Sequence, residues 1–156
     1  MKLYLLRHGH SPTISEAGVP SDAARPLSER GREGVRKTVG ELLRRGAKPS
    51  LILHSPLTRA VQTSEEAELL IKPARGRRGF EPLSNVLSPQ ELSDQLAPEL
   101  SAAGEVLAVG HQPQLGELAA LLTGRIFDLP PGGLIALESA GAGWAAAWTL
   151  DPQGIP

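Results

Sequence analysis

Four basic side chains in this sequence stand where short apolar runs give out: Arg7 and His8 after "KLYLL", Arg59 just beyond "SLILH", and His111 after "EVLAVG". Guanidinium groups present planar forks of N–H donors that match the oxygens of a phosphoryl group, and they hold those oxygens through the transition state as well as in the ground state. What such a clamp lacks is a nucleophile. The chain contains no cysteine, so thiolate attack is excluded, and a neutral imidazole can attack phosphorus and carry the phosphoryl group until water removes it. His8, beside Arg7, is placed for that step.

The elements that would position these groups can be read from the same runs. Leu3, Tyr4, Leu5 and Leu6 are apolar without alternation, as suits a strand covered on both faces. Ligands of open α/β sheets bind beyond the carboxyl ends of such strands, where helix N-termini also gather. Gly9 lets the backbone turn there and approach a ligand closely. "SLILH" and "EVLAVG" repeat the pattern, so three strands bring polar residues to one edge.

Helices are expected between the strands. "LSERGREGVRKTVGELLRRG" carries Val35, Val39, Leu42 and Leu43 at helical spacing behind a capping Ser28, and Gly46 ends it. "LTRAVQTSEEAELL" and "QLGELAALLTG" are read as two more helices. "SPQELSDQLAPEL" opens with Ser88, Pro89 and Glu91, a capping box with proline at the first helical position, and Pro98 is expected to shorten it. "PTISEAGVPSDAARP" reads as a surface loop, and "KPARGRRGFEPLSNVL" offers no clear strand. "GGLIALES" and "GWAAAWTL" read as a hairpin with Trp144 and Trp148 on one face, Gly132 and Gly133 serving the turn before it. The fold class expected is α/β: a three-layer sandwich, its mainly parallel sheet flanked by helices and completed by an antiparallel C-terminal hairpin.

At 156 residues the chain is expected to be one domain, residues 1–156, able to bury a core without disulfides or structural metal. Sixteen Lys plus Arg balance seventeen Asp plus Glu, which favours neither nucleic acid nor an anionic membrane as partner. Neither a secretion signal nor a membrane span is evident, so a cytoplasmic location is the expectation. The histidines lack a metal-ligand spacing with a carboxylate partner, and neither a metal nor a cofactor is expected.

Four segments carry a family resemblance. "LLRHGHS" resembles the Arg-His-Gly signature of the histidine phosphatase superfamily, the phosphoglycerate mutase-like proteins, and "RPLSERGR", "HSPLTRAVQTSEEA" and "VGHQP" resemble its later motifs in order. The resemblance implies a phosphatase in which His8 is phosphorylated, Arg7 and Arg59 clamp the phosphoryl group, and His111 donates to its oxygens. Gln112 would add a backbone N–H at the start of the following helix, with Gly9, His10 and Ser55 as further candidates for phosphate or substrate contact. Glu81, in "GFEPL", stands by position where larger members keep a proton-donating carboxylic acid.

Length and the "EPLSNVLSPQEL" stretch are similar to the compact SixA-type phosphohistidine phosphatases, and little chain is available for a lid. His10 departs from the acidic residue often found there. The partner implied is a phosphorylated protein, such as a histidine phosphotransfer domain, or a small phosphorylated metabolite. A phosphomonoesterase with the same pocket and a non-catalytic phosphate-binding module are the alternatives. His54, also at a strand end, is read as packing locally, Ser55 and Thr63 as satisfying backbone groups near Arg59, and the basic "RGRRG" at residues 75–79 as a solvated loop.

Overall fold

In the computed structural model, which describes residues 1–156, the opening apolar run forms β1 (Lys2–Arg7). Leu3 and Leu5 enter one buried cluster while Tyr4 and Leu6 enter another across the sheet, because successive strand side chains point to opposite faces. A strand apolar on both faces has to be covered on both. After it come α1 (Ile14–Ala17), α2 (Glu29–Arg44), β2 (Leu51–His54), α3 (Thr58–Ile71) and β3 (Arg77–Gly79). They are followed by α4 (Pro89–Ala103), β4 (Glu105–Gly110), α5 (Gln114–Thr123), β5 (Leu134–Ala140) and β6 (Gly143–Leu150).

The strand order is β3-β2-β4-β1-β5-β6. β1, β2, β3 and β4 are parallel, and β5 and β6 complete the sheet antiparallel. Helices α2 and α3 cover the Tyr4 face with Val35, Val39, Leu42, Ala60 and Ala67. Helices α4 and α5 cover the Leu3 face with Leu92, Leu96, Leu100, Leu115 and Leu118. Each fully buried aliphatic side chain contributes about 1.5–3 kcal/mol, so the stripe of Val35, Val39 and Leu42, all at 0 % exposure, is what binds α2 to the sheet. Ser28 Oγ starts that helix by accepting from Gly31 N at 3.0 Å.

Several details differ from the sequence expectations. "RGRRG" is not a free loop: Arg77, Arg78 and Gly79 form β3 on β2, with Arg77 donating to Glu68 and His54, Arg75 to Ala102 O, and Arg78 to Glu99. Arginine-rich chain can serve as an edge strand when each guanidinium finds a local acceptor. Pro98 does not shorten α4, which continues to Ala103. It lies on the exposed face while Leu92, Leu96 and Leu100 hold the buried one, and that packing outweighs the lost hydrogen bond. Trp144 and Trp148 do not share a face. Ala136 pairs with Trp148 but Leu137 with Ala146, so a bulge at Ala147 shifts the alternation, leaving Trp144 against the α4/α5 core and Trp148 against the α2/α3 core. The segment read as a surface loop after Ser11 holds α1, capped by Thr13, and a 3-10 turn at Asp22–Ala24.

The carboxyl edge of the sheet is fastened from several directions. Arg7 N donates to Gly133 O, His8 N to Gly110 O and Ser55 N to Val109 O, each at 3.0 Å. Gly132, at φ +76°, turns its N–H onto the carbonyls of Arg7 and His8 at 3.2 and 2.9 Å. Gly9 packs so tightly on α2 that a Cβ there would lie 2.7 Å from Gly31 O, which fixes glycine as the residue type.

Candidate active site

His8 is 9 % exposed, Arg59 8 % and His111 3 %. The His8 ring contacts its own loop: Nδ1 lies 2.8 Å from Gly9 O. A carbonyl only accepts, so Nδ1 carries the proton and Nε2 keeps a free lone pair. Burial pushes the His8 imidazole down to about 3, and the charges of Arg59 and Arg7 act in the same direction. It is therefore neutral at ordinary pH, with a nucleophilic nitrogen.

His111 lies across from it, with ring centroids 5.2 Å apart and ring planes at 55°. Burial pushes its imidazole down to about 4, again helped by Arg59 and Arg7. His111 Nε2 is 2.7 Å from Ser55 Oγ, which also accepts from Leu57 N at 3.2 Å. A serine hydroxyl that donates to Nε2 leaves the His111 proton on Nδ1, and that atom is buried without a partner.

The arginines share this property. Arg7 Nη1 donates to Leu129 O at 2.8 Å, and Arg59 donates to the carbonyl and carboxylate of Asp22 at 2.9 and 3.1 Å. The Nε of both is buried without a partner. Burial lowers the Arg7 guanidinium from its ordinary value, with Asp128 opposing and Arg59 assisting. Two mutually repelling guanidiniums, each with an unmatched N–H, and an imidazole Nδ1 in the same condition are buried donors without acceptors, a need that an oxyanion satisfies.

Of the other residues singled out from sequence, Gly9 N donates to Thr63 Oγ1 at 3.1 Å, and Thr63 Oγ1 donates to Arg59 O at 2.8 Å. This joint ties the loop after β1 to α3. Ser55 sits on His111. Gln112 precedes α5, which begins at Gln114, and its side-chain oxygen accepts from Gly116 N at 2.8 Å. His10 turns to Ser28 Oγ at 2.7 Å and borders a polar cavity of about 270 Å³ shared with Arg30, Lys37 and Asp151. His54 packs locally, between Ser55 O and Arg77 Nη1.

Glu81 is exposed in a 3-10 turn after β3 and makes no hydrogen bond or ion pair with the pocket groups. The residue that sequence reasoning missed is Asp22, which bonds both Arg59 and Arg25. A lone aspartate in a turn-rich stretch reads as a turn former, and the only signal was its i,i+3 spacing to Arg25.

Residues 3–77 match the family model of the histidine phosphatase superfamily (branch 1). An uncharacterized protein of the cyanobacterium Picosynechococcus is 32 % identical, over 91 % of this chain and 87 % of its own. A chloroplastic protein of Arabidopsis thaliana is 28 % identical, over 98 % and 73 %. Among solved structures, the protein histidine phosphatase SixA complexed with tungstate superposes with a TM-score of 0.87 over 99 % of both chains at 23 % identity. The chain belongs to the histidine phosphatase superfamily, and it has the fold of SixA.

Proposed function

We propose that this phosphatase works through a phosphohistidine on His8 and that its substrate is a phosphorylated side chain of another protein, phosphohistidine foremost. The observation that carries the covalent step is the His8 ring, neutral and fixed by Gly9 O with Nε2 free beside two arginines. Nε2 attacks phosphorus, a P–N bond forms, and the bond to the leaving group breaks with its electron pair going to that group. Water then attacks the phosphoryl group on His8, releasing phosphate and returning the neutral imidazole. Arg7 Nε, Arg59 Nε and His111 Nδ1 donate to the phosphoryl oxygens throughout.

The choice of substrate rests on the surroundings. Residues 72–88, between α3 and α4, hold only β3 and a 3-10 turn, so that segment supplies no long lid, and His10, two residues beyond His8, lines a charged cavity. An imidazole leaving group protonated on its second nitrogen departs neutral without a general acid, which suits a pocket in which Glu81 makes no hydrogen bond. The tungstate named for SixA is a tetrahedral oxyanion of the kind this donor set fits.

The test is release of phosphate from a phosphorylated histidine phosphotransfer domain beside aryl phosphate and sugar phosphates, with His8→Ala as control. Rapid His8-dependent loss from the protein is expected. Preference for a sugar phosphate would move the protein to small-molecule metabolism, and tight phosphate binding with no turnover on any substrate would make it a binding module.

A further inference from the structure

We infer that Asp22 is a positioning residue, which holds the outer end of the Arg59 guanidinium so that its Nε edge is the one presented to the phosphoryl group. Nη1 of Arg59 donates to Asp22 O at 2.9 Å and Nη2 to Asp22 Oδ2 at 3.1 Å. Both terminal nitrogens are thus engaged by one residue, while Nε is buried and unpaired. A planar fork held end-on has only its side edge left for another ligand.

Asp22 is itself held in place. Its Oδ1 accepts from Arg25 Nη1 at 3.0 Å, and Arg25 also donates to Pro12 O and Ser11 O at 2.8 and 3.1 Å. Ser11 Oγ closes the segment on Pro26 O at 2.6 Å, so the aim of Arg59 is tied to closure of the chain between Ser11 and Pro26. Asp22 is not the missing proton donor: hydrogen bonding to Arg25 lowers its carboxyl most, burial opposes this, and the bond to Arg59 adds to the lowering. It acts through Arg59, and it raises the His111 imidazole against the pull of the arginines.

The inference rests on Arg59 holding the phosphoryl group and is independent of the physiological substrate. The experiment is a double-mutant cycle of Asp22→Ala and Arg59→Ala, read by kcat/KM on p-nitrophenyl phosphate and by calorimetric affinity for tungstate, which also serves where turnover is too slow to measure. Asp22→Ala in the native background should lower both about tenfold, with most of the kinetic loss in kcat. In the Arg59→Ala background it should change either by less than about twofold. Asp22→Asn, which keeps one acceptor oxygen, should fall between. Equal losses in both backgrounds would overturn the inference, as would a loss that follows the melting temperature rather than Arg59. Native protein that binds tungstate but turns over neither p-nitrophenyl phosphate nor a phosphorylated histidine phosphotransfer domain would count against the phosphatase reading alone, since the cycle on tungstate still tests Asp22.

Discussion

Replacing Thr63 by valine tests the joint between the two halves of the site. The substitution keeps shape and volume but removes the hydroxyl that accepts from Gly9 N at 3.1 Å and donates to Arg59 O at 2.8 Å. Thr63 is fully buried, so the Gly9 N–H loses its partner where water cannot replace it, a penalty of about 1–3 kcal/mol. At roughly 2–4 °C per kcal/mol for a chain of this length, the melting temperature should fall by about 2–12 °C. Activity should fall further than stability explains, because the carbonyl of the same Gly9 fixes the His8 tautomer. A misplaced nucleophile costs on the order of tenfold to a hundredfold in kcat. Thr63→Ser keeps the hydroxyl and should retain most of the activity while losing some packing. Thermal melts and aryl phosphate kinetics on the three proteins decide the matter: native kcat in Thr63→Val, or serine as damaging as valine, would refute the reasoning.

His8→Ala should abolish turnover while leaving the melting temperature and tungstate binding near native, and persistent turnover in a purified sample would exclude the covalent route. Arg59→Ala should lower kcat/KM by about a hundredfold to a thousandfold, the loss typical of a missing transition-state donor; unchanged kinetics would remove Arg59 from the clamp. His8 and His111 are pushed down by burial to about 3 and about 4, while unfolded histidines titrate at about 6.5. Between about pH 6.5 and 4 the unfolded chain therefore takes up protons that the folded chain refuses, so stability falls as pH drops through that window and is insensitive to these groups above it. His111→Gln should flatten that acid limb in urea midpoints measured against pH, and an unaltered slope would show that His111 does not titrate this way.

The strands that carry the site were legible because their apolar runs end in residues a core would not accept, as at Arg7 and His8 or at His111. The helices α2 and α5 were legible from Ser28 and from leucine spacing. What escaped depended on partners distant in sequence. β3 exists because Ile52, Leu53 and His54 offer an edge to three residues with no strand character of their own. The bulge that separates Trp144 from Trp148 is a matter of register with β5, invisible to the alternation of β6 itself. Asp22 shows its role only once the chain after β1 folds back across α3 to Arg59. Such contacts leave no local pattern, whereas a strand that ends in a site does.

β1 has a consequence for the order of folding. The strand lies between β4 and β5, pairing Leu5 with Ala108 on one side and with Ile135 on the other. Every hydrogen bond it makes in the sheet spans roughly a hundred residues or more, and closing such loops is slow because chain entropy is lost before the contacts repay it. During synthesis β1 leaves the ribosome well before either neighbour exists, an uncovered apolar segment of the kind that invites misassembly. Arg7 and His8 reach their working positions only when β4 and the Gly132 turn have arrived, so catalytic competence should be the last property a refolding chain regains, trailing the recovery of helix signal.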